Sequence, residues 1–317
     1  MLTALPMELN LPVADSFDPD FRPTALDVRA TRILLQHVGL PTELILLILD
    51  FARYWTSCTT FRASKLCLLD WNHDLNHSST VAYLSAPVSL RPTSTGETPK
   101  IREIEFCILS HDQGWTSEFT QNKYKTSSWF EVSIVRGSPS RMLGDSTRTS
   151  GTNSSCMPRN VAMFADVERA RAHCKYVEFV RRPDEGMEEQ RTHCREMIRV
   201  FRDESQGEMP LEEGMHAWWL QGNRVVTATG DPDRWARREN AVENRVKWGC
   251  RAAPAWEGNE GAGKGEGFVD SLKDGDCVVL WARVKRRGWE NHVYEASISV
   301  RYTMGPSGTK EVKAERY

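Results

Sequence analysis

The sequence predicts a mainly β protein, an antiparallel β-sandwich preceded by short helices. Three observations lead there. Beyond Lys100 apolar residues recur at every second position. Ile104, Phe106 and Ile108 alternate with Glu103, Glu105 and Cys107, the pattern of a strand with one buried face. Several short runs of this kind follow, separated by Gly, Asn and Asp and never alternating with helices, which argues against a parallel sheet. The longest aliphatic run, "LILLIL" from Leu44 to Leu49, lies near the N-terminus just behind a proline.

Taken in order, residues 1–25 are proline-rich and acidic and are expected to be disordered. Residues 26–84 read as a helical segment. "TALDVRATRILLQHV" forms one helix, with Leu26, Ile33 and Leu34 as its apolar contacts. In "GLPTELILLILDFARYW" Pro41 suits a first helical position, where its missing N–H would have no partner. Glu43 favours the positive end of that helix dipole. An unbroken apolar turn and a half has no wet face, so this helix is expected to be covered on both sides. Residues 85–100 read as a proline-containing linker.

Residues 101–303 form the sandwich. "WFEVSIV" turns Phe130, Val132 and Ile134 inward, and "CKYVEFV", "REMIRVF", "HAWWL", "RVVTAT", "NRVKW", "CVVLWARV" and "VYEASISVRY" follow as further strands. Two stretches rich in small and polar residues, 137–160 and 257–267, read as flexible insertions. Residues 304–317 are a tail.

Composition narrows the function. A net charge of -2 over 317 residues provides no field for nucleic acid or an anionic membrane. The aliphatic run is too short to cross a bilayer, and the first residues lack the basic and apolar regions of a signal peptide. The 8 cysteines include no CxxC pair, as expected of reduced thiols in the cytoplasm or nucleus. Of 11 tryptophans, nine lie between Trp115 and Trp289, enough for a core with a few left for a binding surface.

Motifs with a known chemistry are incomplete. Gly258 to Gly265 reads G-N-E-G-A-G-K-G, a phosphate-binding loop with glycine where Ser or Thr should hold magnesium, and without a flanking strand and helix. It reads as a glycine loop. His173–Cys174 and His193–Cys194 supply zinc-type ligands, but adjacent residues on a strand point to opposite faces. His73 and His77 have helical spacing in a polar, loop-like setting. No metal site and no cofactor is therefore expected. No nucleophile elbow, zinc-protease or dinucleotide fingerprint is present.

Two stretches stand out, "SHDQGW" at 110–115 and "RGWENHV" at 287–293. Both join Gly-Trp to Asp, Gln, Asn and His at the end of a strand, and loops of an antiparallel sandwich gather at its ends. They are expected to meet there. Asp112 and Asn291 would tie down backbone, Trp115 and Trp289 would cover the core, and Gln113 and His292 would remain for a ligand. Such a site fits a glycan, with tryptophan stacking on the sugar. One alternative is a carbohydrate-active hydrolase, with Asp112 and His292 as acid–base groups and a carboxylate pair facing a cleft. The other is a purely structural domain in which every loop residue is satisfied internally.

Two resemblances add to this reading. Leu40, Pro41, Glu43, Leu44, Ile48 and Leu49 make "LPTELILLILDFA" similar to the opening helix of an F-box, which implies docking on the Skp-type adaptor of a cullin ubiquitin ligase. The following "RYWTSCTTFRASKLCLLDW" does not match its second half. From about 100 to 302, "IREIEFCILSHDQGW", "SSWFEVSI", "WWLQGNRVV" and "GDCVVLWARVKRRGWENHVYEASISVRY" resemble a family of largely uncharacterised fungal proteins. In these, a Leu-Pro-x-Glu helix precedes a strand-rich region with the same SHDQGW and GW-x-NHV stretches. That implies an intracellular fungal protein. The strand pattern also resembles galactose-binding-like jelly rolls, which follow F-boxes in some glycoprotein-recognising adaptors. The expectation is a non-enzymatic interaction protein.

Overall fold

The computed structural model describes residues 22–70, 78–93, 96–113, 124, 127–137, 163–164, 166–174, 176–183, 214–224, 238–285 and 287–306. The chain divides into two compact units, Met1–Thr56 and Ser57–Tyr317.

The first unit is a helical hairpin. Helix α1, Ala25–His37, starts where Thr24 and Asp27 cap each other. The Thr24 hydroxyl accepts from the Asp27 N–H at 3.2 Å, and the Asp27 carboxylate accepts from the Thr24 N–H at 2.8 Å. Gly39, at φ 89, turns the chain toward α2, Thr42–Phe51, which Pro41 caps. The apolar residues of α2 fall on two stripes. Ile45 and Leu49 are buried, whereas Leu44, Leu47, Ile48 and Phe51, spaced i, i+3, i+4 and i+7, are exposed, Phe51 to 95%. Among the described residues the expected cover on both sides is therefore not found. In α1 the buried residue is Val28, and Leu26, Ile33 and Leu34 point to solvent, the reverse of the expected face.

The second unit is an antiparallel β-sandwich. Its first two strands correct the helical reading of 26–84: β1 is Thr56–Leu69 and β2 is Ser79–Pro87. Along β1 Thr and Ser dominate the first half, and Leu66 and Leu68 are buried only near the end, so the strand carries little apolar signal. The linker is also shorter than expected, because β2 reaches Pro87 and β3, Glu97–Asp112, begins inside it. There follow β4 (Ser128–Arg136), β5 (Met163–Phe164), α3 (Val167–His173), β6 (Glu178–Phe179), β7 (Trp218–Gly222), β8 (Val242–Gly249), β9 (Trp256–Glu257), α4 (Phe268–Ser271), β10 (Asp276–Val284) and β11 (Glu290–Pro306). Strand β11 enters the expected tail. The insertion beyond Gly137, "REMIRVF", most of "RVVTAT", and His73, His77, His193 and Cys194 lie outside the described residues.

One sheet has the order β1-β11-β3-β8-β9, the other β5-β2-β10-β4-β6, with β7 also on β4. Thr59 meets Ser299, and Cys67 meets His292, so β1 runs antiparallel to β11 along the sheet edge. The chain changes sheet at each step from β1 to β4 and again from β9 to β11, as in a jelly roll.

Between the sheets lie Ile104, Phe106 and Ile108 with Val246 and Trp248. Phe106 meets Trp248 edge-on at 5.2 Å, and Phe268 meets Trp218 edge-on at 5.0 Å. The other face of β3 is not wet. Glu103 and Glu105 are buried beneath Arg301, at 2.8 and 2.6 Å, and Glu105 also pairs with Arg245 at 2.6 Å. A second apolar layer covers the outer face of the other sheet, where Val135, Val279 and Trp281 pack against Val167, Ala170 and Phe179. Strand β10 is thus buried on both faces, which is why "CVVLWARV" does not alternate.

The glycine-rich stretch 257–267 is ordered, contrary to expectation. It lies along β7, where Gly222 N–H donates to Gly261 O at 2.9 Å and Gly263 N–H to Leu220 O at 2.9 Å. Three indoles hold it down. Trp219 donates to Gly261 O at 3.0 Å, and Trp248 and Trp256 donate to Gly263 O at 2.7 and 3.0 Å. Its glycines serve close approach to tryptophan rather than mobility.

Candidate functional site

The two singled-out stretches meet at one end of the sandwich. Asp112 lies opposite Asn291 and His111 opposite His292 across the β3–β11 ladder. Period-two alternation then divides them. Ser110, Asp112 and Asn291 share one face of the sheet, His111 and His292 the other.

The first face is a clasp between the sheets. The Asn291 amide donates to Trp129 O at 3.2 Å and Arg283 O at 3.0 Å, both on the opposite sheet. Asn223 donates to Asn291 Oδ1 at 3.0 Å and to Ser128 Oγ at 2.9 Å, and accepts from Ser110 Oγ at 2.7 Å. Behind this lies a buried ion pair. Both Glu131 oxygens accept from Arg283 Nη1, at 2.8 and 2.9 Å. Arg283 Nη2 donates to Ser78 Oγ at 2.7 Å, its guanidinium lies 4.8 Å from the Trp129 ring centre, and the Trp129 indole donates to Glu131 at 2.9 Å. Sequence reasoning missed Asn223, Glu131 and Arg283. A lone acid in "WFEVSIV" and a lone base in "LWARV", each amid apolar residues, was the available signal.

The second face carries imidazoles. His111 and His292 stack with ring centres 4.6 Å apart. His111 Nδ1 lies 2.5 Å from Asp112 O and so donates; its Nε2, 3.0 Å from the Tyr294 hydroxyl, accepts. His292 Nε2 donates to Glu290 at 2.6 Å, and this hydrogen bond holds the Glu290 carboxyl below its ordinary range. Burial pushes the His111 pKa down to about 4, and the neighbouring His292 and Lys65 act in the same direction.

Of the predicted residues, Asp112, Gln113, Trp289, Asn291 and His292 are brought together, and all five are buried. Gln113 Oε1 accepts from Glu290 N–H at 3.4 Å, and Trp289 O accepts from Asp70 N–H at 3.1 Å. Trp115 lies outside the described residues. Asp112, wholly inside, does not face a cleft as a glycosidase carboxylate must. An open cleft of about 520 Å³ lies elsewhere, lined in part by Arg251, Trp256, Lys264, Glu266 and Asp270. Trp256 there is 50% exposed, and both Asp270 oxygens accept from Arg251 N–H at 3.1 Å.

Fold and site together define an antiparallel β-sandwich closed at one end by a buried polar clasp and preceded in sequence by a helical hairpin. The chain matches no protein-family model, and no curated protein or solved structure matches it significantly. Among the described residues no helix is long and apolar enough to cross a membrane.

The His111 environment sets an acid limit on stability. The unfolded chain takes up a proton near pH 6.5 and the folded chain only near 4. Stability is therefore unaffected above about 6.5, falls as pH drops through this window, and levels off below 4. About 3 kcal/mol is at stake. His111→Asn, which keeps a donor toward Asp112 O, should flatten that limb in denaturant melts run from pH 7 to 4. An unchanged limb assigns it to another group.

Proposed function

We propose that this is a non-enzymatic, intracellular interaction protein of the cytoplasm or nucleus, an F-box-like adaptor. Its helical hairpin docks a partner, and its sandwich recognises a protein or glycan. The observation that carries this reading is the outer stripe of α2. Leu44, Leu47, Ile48 and Phe51 expose a helical apolar ridge, and α1 adds Leu26, Leu34 and Val38. Apolar ridges of this extent mark docking surfaces. With the Leu-Pro-x-Glu opening at Leu40, Pro41 and Glu43, the partner is the Skp-type adaptor of a cullin ubiquitin ligase. The resemblance to an F-box is confined to the hairpin, because the chain continues as β1. For the sandwich, the recognition surface is the cleft beside Trp256 rather than the buried clasp.

Leu47→Asp with Phe51→Asp tests the docking reading. Both side chains are more than half exposed, so the melting temperature should move little, while binding to a purified Skp-type adaptor should fall at least tenfold. Equal binding by the variant, or none by the wild type, overturns the reading.

A further inference from the structure

Cys67 on β1 and Glu290 and His292 on β11 each offer a ligand atom, and these atoms lie within 4.8 Å of one another. We propose that they form a binding site for a zinc-class divalent cation, through Cys67 Sγ, a Glu290 carboxylate oxygen and His292 Nε2. Thiolate, imidazole and carboxylate are the ligands zinc takes, and the sulfur disfavours magnesium and calcium. Zinc bond lengths put tetrahedral ligand atoms about 3.4–3.6 Å apart. His292 Nε2 lies 3.9 Å from Cys67 Sγ and 2.6 Å from Glu290 Oε2. The first spacing needs a small contraction. The second opens once the metal replaces the proton between nitrogen and oxygen, and Glu290, with its side chain 34% exposed, has room to move.

The rest of the site is set in advance. His292 stacks on His111, which Asp112 O and the Tyr294 hydroxyl fix. Thiolate and carboxylate together balance the dication. Binding releases the thiol proton to solvent and moves the imidazole proton from Nε2 to Nδ1, leaving the fourth position to water. His292 Nδ1 is buried without a hydrogen-bond partner among the described residues. The site therefore lacks the outer hydrogen bond that raises affinity about 10–100-fold elsewhere. Neither Cys–His pair weighed in the sequence contributes. These ligands come from an edge strand and its neighbour, 225 positions apart at Cys67 and His292. Bound metal would staple that edge.

Cobalt titration of the chelator-treated full-length chain tests this. One equivalent of Co²⁺ should give a thiolate-to-cobalt charge-transfer band and intense tetrahedral visible bands, both lost when Zn²⁺ is added. Zn²⁺ should raise the melting temperature of the wild type. Cys67→Ser should remove the charge-transfer band, and Glu290→Gln should weaken Zn²⁺ binding at least tenfold. Cys58→Ser, an exposed thiol on the same strand, should change neither. If Cys67→Ser does not fold, Glu290→Gln carries the test. No cobalt–thiolate band in the wild type overturns the site. So does a band that survives in folded Cys67→Ser, or affinity unchanged in Glu290→Gln.

Discussion

Arg283→Met should destabilise the sandwich by about 3–5 kcal/mol, the cost of leaving one charge of a buried pair uncompensated. Arg283 and Glu131 are each about 1% exposed. Removing the guanidinium leaves the buried Glu131 carboxylate beside Trp129 without its cation, and also removes the donor to Ser78 and the cation above Trp129. The double variant Glu131→Leu with Arg283→Met takes away both charges and should recover most of the loss, since apolar groups of similar volume replace buried pairs well. Urea melts of the two single variants and the double variant measure this directly. Equal losses in Arg283→Met and the double variant would mean that packing on Trp129, not charge, governs the site.

Gly265→Ala should cost about 2–5 kcal/mol, from two separate causes. At φ 63 the backbone is left-handed, which a β-carbon disfavours. That carbon would also stand 1.9 to 2.4 Å from three atoms of the Trp248 ring. The ring cannot retreat cheaply, because it is fully buried, packs on Phe106 and Phe268, and donates to Gly263 O. Gly275→Ala is the control: φ there is 81 but no atom lies within 4 Å, so only the backbone cost of about 1 kcal/mol should appear. Thermal melts of the two variants separate the contributions. Equal losses would remove the steric one.

The sandwich was legible where alternation was strong. Ile104, Phe106 and Ile108 marked β3, and Phe130, Val132 and Ile134 marked β4, because each strand turns one apolar face inward. Strand β1 was not legible, since its buried leucines come only at its end and edge strands carry little periodic signal. The exposed stripe of α2 could not be read from "LILLIL", where both faces are equally apolar. The glycines of 257–267 misled because glycine serves mobility and close approach alike, and only the positions of Trp219 and Trp248 decide between them. The meeting of Asp112 and Asn291 was legible because both end strands. Their burial was not, because Asn223 and Trp129, the partners that hold Asn291, come from the other sheet. Cys67 beside His292 was out of reach, since edge-strand pairing over such a distance leaves no local trace.

The strand order also governs how the chain can be made. Strand β2 and β4 both wait for β10, and β1 and β3 both wait for β11. Residues 276–306, made after all the strands they join, therefore supply the central strand of one sheet and a main-ladder strand of the other. Until they emerge, β2 and β3 lack these ladder partners, and their apolar faces stay uncovered on that side. Pairings of such sequence separation form slowly, and unpaired strand edges invite association with other chains. Truncation shortly before Asp276 would therefore leave not a smaller sandwich but an unclosed chain with unpaired strand edges.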